Sequence, residues 1–312
     1  MSLSGDPFRW RVGLVGYGEV GQILAEDLRG KGVAVAMYDL KLGTDAGARM
    51  RQHAAEHGVQ IASSHGLLAA NVDLLISAVT ASQAVPAAQA CAGSVATGSF
   101  FLDFNSASPS AKIRAAGLVD GAGGRYVEGA VMTSVPPYRI RVPLLLGGPH
   151  AAALGPGLSA LGFDAKLSSQ KLGIASATKM CRSVMIKGLE AMVIETFTTA
   201  RAWGVEDQVL ASLQETFPGL RWDEQGSYFF RRVIEHGRRR AEEMLEAAQT
   251  VREAGLEPWS AGGTAQRQAW VADLVERGVL GGEVGEKSAG RSNWRADADR
   301  ILASADVAAR RR

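Results

Sequence analysis

Residues Gly16-Tyr17-Gly18-Glu19-Val20-Gly21 follow the apolar run Trp10 to Val15 and lead into a stretch with apolar residues at Ile23, Leu24 and Leu28. A strand, a glycine turn and an amphipathic helix in that order constrain the fold more than any other feature of the chain. Glycines at this spacing meet separate needs: a tight bend, close approach of the backbone to a bound group, and close packing of helix on strand. A helix starting here presents free N–H groups and the positive end of its dipole, which favour a phosphate. Asp39 lies 18 residues beyond Gly21, at the end of the next apolar run, where a carboxylate accepts from ribose hydroxyls. The segment reads as a dinucleotide-binding turn, with Gly16, Tyr17, Gly18, Glu19, Val20, Gly21 and Asp39 as candidate cofactor contacts.

A carboxylate in this place hydrogen-bonds the 2′-OH of NAD and repels the 2′-phosphate of NADP. Lys41, two residues further, offsets part of that repulsion. NAD is therefore the expected cofactor and NADP the alternative.

The bulk composition excludes several partners. A chain of 312 residues, 46% hydrophobic, is long enough for two domains, and a net charge of +2 with dispersed basic residues calls for neither nucleic acid nor an anionic membrane. The two cysteines, Cys91 and Cys181, make no disulfide framework, which fits a reduced, cytoplasmic protein. No zinc-type spacing of Cys and His is present and no metal is expected. With Asp6, Arg9 and Arg11 leading into the first strand, no apolar signal region is expected. The alanine-rich stretch from Leu67 to Ala96 is broken by Asp73, Gln83, Pro86 and Gln89, so no membrane span is expected.

Up to about residue 165, short apolar runs alternate with helical stretches. Val12–Val15, Val33–Tyr38, Leu74–Val79, Phe100–Phe104, Tyr126–Val131 and Pro143–Leu146 are the expected strands of an α/β Rossmann doubly wound sheet. From Ala175 to Trp203 a run without proline and with one glycine predicts a long joining helix. Helical patterns follow at Glu206–Glu215, Tyr228–Ala254 and Gln266–Arg277, with loops at Pro218, Gly255 to Gly263 and Gly278 to Gly290, and a frayed end from Ala309. The expected domains are 1–165, dinucleotide-binding, and 166–312, all-α. Such a layout places a substrate beyond the C-terminal ends of the strands, with a catalytic group supplied by the joining helix.

Lys179 sits early in that helix, within Gly173-Ile174-Ala175-Ser176-Ala177-Thr178-Lys179-Met180-Cys181-Arg182-Ser183. With eight lysines against 26 arginines in the chain, a lysine among small and apolar neighbours stands out. Two readings are open: a solvated helix lysine, or the base that takes a hydroxyl proton as hydride leaves for a nicotinamide. Desolvation, Arg182 and the positive ring of an oxidised cofactor each favour a neutral amine.

Four stretches resemble the β-hydroxyacid dehydrogenase family, which includes 6-phosphogluconate dehydrogenase, 3-hydroxyisobutyrate dehydrogenase and the imine reductases. GLVGYGEVGQILAEDLRGKG is similar to the family's cofactor signature, with Val20 where many members have methionine. FLDFNSASPS resembles the strand-end segment near the nicotinamide, which implies cofactor or substrate contacts at Asn105 and Ser106. VEGAVMTSVPP resembles a substrate-binding segment that usually reads Asp-Ala-Pro-Val-Ser-Gly-Gly. GIASATKMCRS resembles the catalytic helix and puts Lys179 on the family lysine, implying a proton donor and acceptor. The resemblance covers nearly the whole chain and also implies a homodimer built on the helical domain.

The departures from the pattern bear on the substrate. Met132, Thr133 and Ser134 replace Ser-Gly-Gly, and Ser183 replaces a frequent asparagine. Arg182 stands where 6-phosphogluconate dehydrogenases have histidine, and its planar fork suits a substrate carboxylate. The family's later Lys-Asp pair is replaced by Glu242 and Glu243. Val79, Thr80 and Ser82, at the end of a strand, are further candidate cofactor contacts. His236, inside the arginine-rich run Arg231 to Arg240, is either structural or a second hydrogen bond to substrate. The expected activity is hydride transfer between a nicotinamide and a small 3-hydroxy acid or sugar acid. Imine or carbonyl reduction on the same fold and a non-enzymatic NAD(H) sensor are the rivals.

Overall fold

The computed structural model describes residues 5–281 and 293–309. Two compact units are present, Met1–Cys181 and Arg182–Arg312. The division falls inside the joining helix, whereas the sequence reading placed a boundary after residue 165.

The first unit is built on eight strands: β1 Arg11–Val15, β2 Ala34–Tyr38, β3 Gln60–Ile61, β4 Leu74–Ser77, β5 Phe100–Asp103, β6 Arg125–Val131, β7 Leu144–Gly147 and β8 Ala165–Ser169. Their order across the sheet is β3-β2-β1-β4-β5-β6-β7-β8, and every pairing is parallel except β6 with β7. The chain direction across the sheet reverses between β1 and β4, so the glycine turn after β1 opens at the switch point where such sheets bind ligands. Six helices, α1 Glu19–Arg29, α2 Asp45–Glu56, α3 His65–Ala70, α4 Ala84–Ala92, α5 Pro109–Gly121 and α6 Ala151–Ala160, accompany the strands.

Alternation along each strand explains why both sheet faces are covered. Leu74 and Ile76 of β4 join Val12, Leu14 and Leu24 in one apolar layer, while Leu75 joins Leu68, Ala88 and Val119 in the other. A parallel sheet buried on both faces reads as continuous apolar runs, which is what made six of its strands legible. The two strands the sequence reading lacks are β3, only two residues and exposed, and β8, whose middle residues are exposed. Edge strands with polar, solvated residues carry no apolar run.

The helix α7, Ile174–Trp203, is the expected long joining helix. In the second unit α8 Glu206–Thr216, α9 Trp222–Glu253, α10 Trp259–Glu276 and α11 Trp294–Ala309 follow. Val193, Ile194, Phe197, Phe230, Val233, Val271 and the fully buried Trp294 form its core. Gly237 lets α9 and α10 close: a Cβ there would lie 2.9 Å from the Gln268 carbonyl oxygen.

Two boundaries differ from expectation. The segment read as a loop through Gly263 is helical from Trp259: Pro258 is the N-cap, Gly262 and Gly263 lie inside the first turns of α10, and the packing of α10 against α9 holds them helical. The loop expected from Gly278 lies outside the described residues after Gly281, as does the frayed end after Ala309. Among the described residues no helix is long and apolar enough to cross a membrane.

Candidate active site

Glycine geometry at the end of β1 follows from close contacts. Gly16 has φ +88°, and a Cβ on it would stand 2.5 Å from the Ala78 carbonyl oxygen. A Cβ on Gly21 would lie 2.3 Å from the Gly16 carbonyl oxygen, so α1 packs directly onto the turn. Around Gly18 the space is open, and Gly18 is the N-cap of α1 with no side chain satisfying the first N–H groups. Open backbone at an uncapped helix N-terminus is the arrangement a pyrophosphate needs. Glu19 is exposed in the first turn and Val20 half-buried beside it.

Asp39 follows β2 and ties the turn to it. Its Oδ2 accepts from the Tyr17 backbone N–H at 2.7 Å and its Oδ1 from that of Lys41 at 2.8 Å. Each oxygen keeps a lone pair for a ribose hydroxyl. Tyr17 departs from its expected role as a contact: its N–H is held by Asp39, and its ring is fully buried with the hydroxyl 3.0 Å from His53 Nδ1. Burial pushes the Tyr17 phenol up to about 12, so the hydroxyl keeps its proton.

The ends of β4 and β5 are clamped by Asn105. Its Oδ1 accepts from the Val79 N–H at 2.7 Å and its Nδ2 donates to Ser77 Oγ at 2.9 Å. Both polar groups of this buried amide are thus used inside the protein, and Asn105 shapes the site from behind. Val79 lends its N–H to that clamp and its side chain backs Gly16. Thr80 is exposed next to it, 3.4 Å from Ser82 Oγ.

Below the segment 103–106 lies a buried polar cluster. Asp103 accepts from Lys112 Nζ at 2.9 Å and from the Tyr126 hydroxyl at 2.7 Å. Burial first, and the Asp103 carboxylate second, hold the Tyr126 hydroxyl well above its ordinary pKa. Lys112, Asp103 and Tyr126 are almost wholly excluded from solvent, so the cluster fixes the segment that carries Ser106.

Glu128 of β6 performs the corresponding service for α7. It is fully buried, and its carboxylate accepts from the backbone N–H of Gly173 at 2.6 Å and from that of Ser176. A carboxylate on the first turn satisfies orphan donors and the helix dipole together. With the helix start held, Lys179 Nζ lies 2.5 Å from Ser106 Oγ. Sequence reasoning missed Glu128, Lys112 and Tyr126, whose partners lie beyond their own helix or strand.

Gly16 to Gly21, Asp39, Val79, Thr80, Asn105, Ser106 and the segment Met132 to Ser134 all follow the C-terminal ends of strands in the first unit. Met132 and Ser134 are half-buried and Thr133 is exposed; the Met132 N–H donates to Pro143 at 2.9 Å. Arg182 and Ser183 begin the second unit, three and four residues beyond Lys179 on α7, with Arg182 exposed and Ser183 buried. His236 lines a cleft of the second unit with Arg238, Arg239 and Glu276, and burial, then Arg239 and Arg232, lower its pKa. Cys91 is no nucleophile: burial pushes its thiol up to about 12. A cleft of about 560 Å³ is lined by the starts of β1 and β2, by β3 with Ala62 and Ser63, and by α3, and by none of the predicted site residues.

Within the second unit a buried charge network occupies positions the sequence reading could not interpret. Lys187 on α7 pairs with Glu243 on α9, and Arg240 with Glu190. Glu243, aligned with a lost Lys-Asp pair, thus meets a lysine supplied by the other helix.

A doubly wound sheet with a glycine turn at its switch point, joined through one long helix to an all-helical unit, defines a dinucleotide-binding protein of the hydroxyacid dehydrogenase architecture. Residues 11–152 match the NAD binding domain of 6-phosphogluconate dehydrogenase, and residues 200–271 match a domain of unknown function, DUF1932. The chain belongs to the 6-phosphogluconate dehydrogenase-like family of β-hydroxyacid dehydrogenases. A conserved hypothetical protein from Sinorhizobium meliloti 1021 is 34% identical, with 93% of this chain and 95% of that one covered and a TM-score of 0.72. A conserved protein of unknown function, whose structure is described as similar to 3-hydroxyacid dehydrogenases, is 30% identical over 86% of this chain and 99% of its own, TM-score 0.65. The fold alone is shared with the Mycobacterium tuberculosis 3-hydroxyisobutyrate dehydrogenase solved with L-serine, 15% identical, covering 94% and 99% of the two chains, TM-score 0.65. It is shared also with a reductive aminase from Aspergillus terreus solved with NADPH and ethyl levulinate, 20% identical, with the same coverage and a TM-score of 0.55.

Proposed function

We propose that the protein is an NAD-preferring oxidoreductase acting on a small 3-hydroxy acid or sugar acid, with Lys179 as its general acid and base. The observation that carries this reading is the 2.5 Å approach of Lys179 Nζ to Ser106 Oγ, in the same unit and beyond the same strand ends as the glycine turn. The open backbone at Gly18 and the uncapped start of α1 fit the pyrophosphate, and Asp39 fits the ribose. When bound, the nicotinamide supplies the hydride acceptor or donor. The lone pair of neutral Lys179 takes the substrate hydroxyl proton during oxidation and returns it during reduction, while the Ser106 hydroxyl fixes the direction of the amine. The backbone from Met132 to Ser134 receives the substrate carboxylate. The carboxylate of Asp39 selects against a 2′-phosphate.

The reading includes a homodimer in the cytoplasm. Met185, Ile186, Met192, Trp203 and Trp259 of the second unit are exposed apolar residues of the kind a subunit contact buries.

The test is a spectrophotometric panel of 3-hydroxy acids, sugar acids and β-hydroxy amino acids with NAD and NADP, run beside Lys179→Ala. NAD-linked turnover that disappears in the variant supports the reading; full turnover in a folded Lys179→Ala protein removes it. Met132 and the fold shared with a reductive aminase favour a second reading, reduction of an imine or carbonyl compound, which C=N reduction outpacing alcohol oxidation would select. Tight NADH binding with no hydride exchange on either panel would select the sensor.

A further inference from the structure

On the α1–α2 side of the glycine turn, three side chains of the first unit converge. His53 lies in the last turn of α2 and His57 is the C-cap of that helix, so the two imidazoles, four residues apart, sit with ring centroids 4.4 Å apart. Glu26 reaches them from α1, with Oε1 3.0 Å from His53 Nε2. One ligating atom from each of Glu26, His53 and His57 lies within 4.8 Å of the other two.

The two inner members are held from behind. The hydroxyl of the buried Tyr17 is 3.0 Å from His53 Nδ1, which sets the imidazole plane and directs Nε2 at the carboxylate. Arg139 Nη2 donates to the other Glu26 oxygen, Oε2, at 2.6 Å, and Arg139 Nε donates to Asp27 at 2.8 Å. Arg139 holds this position at φ 54°, a left-handed conformation uncommon outside glycine, and Asp27 also accepts from the next N–H, that of Ile140, at 3.0 Å. Asp27 offsets the guanidinium, so the group of Glu26, Asp27 and Arg139 carries one net negative charge.

We propose that Glu26, His53 and His57 bind a late first-row divalent cation, zinc in class. Two imidazoles and one carboxylate are a donor set for borderline ions, whereas magnesium and calcium require oxygen shells. Tetrahedral coordination at zinc bond lengths puts ligand atoms about 3.4 Å apart. His57, the C-cap at the end of its helix, supplies the movement that closes the set, and water takes the fourth position. Ligation through His53 Nε2 places the ring proton on Nδ1, where it donates to the Tyr17 oxygen, and the metal replaces the Nε2 proton now facing Glu26. Tyr17 and Arg139 then act as the outer partners that orient a metal's ligands. The expectation of no metal rested on Cys/His spacing; here the carboxylate lies 27 residues before the first histidine.

The test uses the full chain, free of any affinity tag and treated with chelator, titrated with Co²⁺ and followed by visible absorption, with Zn²⁺ as competitor. The expected result is one saturable Co²⁺ site per chain, displaced by Zn²⁺, with His57→Ala and Glu26→Gln each weakening binding about tenfold or more. His150→Ala, outside the cluster, leaves it unchanged. No saturable absorption in the unaltered protein overturns the proposal, and so does equal binding by folded His57→Ala and Glu26→Gln proteins, which would mean adventitious chelation elsewhere. Circular dichroism on each variant identifies any failure to fold, and either folded variant decides the outcome.

Discussion

Lys179 and Ser106 are 73 residues apart in the chain, yet Nζ of the one lies 2.5 Å from Oγ of the other. Two buried carboxylates create that contact from opposite sides: Glu128 fixes the start of α7, and Asp103 anchors the segment after β5. The contact belongs to the sheet's C-terminal edge, where the glycine turn also opens.

Removing the amine should leave the fold and abolish proton transfer. Lys179→Met is expected to lower kcat roughly 10²–10⁴-fold with an unchanged circular dichroism spectrum. Ser106→Ala keeps the amine and loosens its aim, so its smaller loss should appear in kcat more than in KM. Steady-state kinetics on an active substrate checks both.

Glu128 separates helix capping from chemistry. Glu128→Ala strands two buried N–H groups and is expected to cost about 3 kcal/mol of stability in urea unfolding. Glu128→Gln, which retains an acceptor oxygen, should recover part of that loss. A variant as stable as the parent would show that α7 has another anchor.

The glycines divide into two kinds. At Gly21 an added Cβ meets backbone, 2.3 Å from the Gly16 oxygen, whereas at Gly18 it meets nothing within 4 Å. Gly21→Ala should therefore lower Tm by several degrees, while Gly18→Ala should leave Tm unchanged and weaken NADH binding. Thermal unfolding beside fluorescence titration with NADH distinguishes the two.

Acid should weaken the folded state through two half-buried histidines. Burial lowers the pKa of His65, against the opposing pull of Asp39, and burial together with Arg239 and Arg232 lowers that of His236. Each is neutral in both states well above 6.5; as pH falls below that value the unfolded chain binds the proton first, so stability declines until the folded pKa is passed. His65→Gln should flatten the decline below about pH 6.5 in urea midpoints, in proportion to its share.

The pair Lys187 and Glu243 should behave non-additively. Glu243→Leu alone leaves a buried lysine without its partner and is expected to cost about 3–5 kcal/mol, whereas Lys187→Met with Glu243→Leu should cost much less. A double-mutant cycle in denaturant measures the coupling.

Local pattern made the architecture legible. The apolar runs of β1, β2, β4, β5, β6 and β7, the glycine turn and the uninterrupted α7 are determined by short-range steric and burial rules, and so they could be read along the chain. Position at a strand end marked Asp39, whereas Ser106 and Lys179 were marked by resemblance to family segments, and the fold brings those two side chains together. The α10 start was hidden because Pro258, Gly262 and Gly263 signal a loop locally, and packing of α10 against α9 overrides them.

Partner choice was decided by tertiary structure alone. Asn105 looked like a contact and is a clamp between Val79 and Ser77; Tyr17 looked like part of a binding turn and sends its ring to His53. Glu128 with Ser176, Lys187 with Glu243 and Glu26 with His53 are pairings 48, 56 and 27 residues apart. A sequence by itself determines which residues are apolar, flexible or charged, because those are properties of single residues and their neighbours. Which buried charge meets which partner depends on how the elements pack, since only packing brings remote polar groups together where water no longer satisfies them.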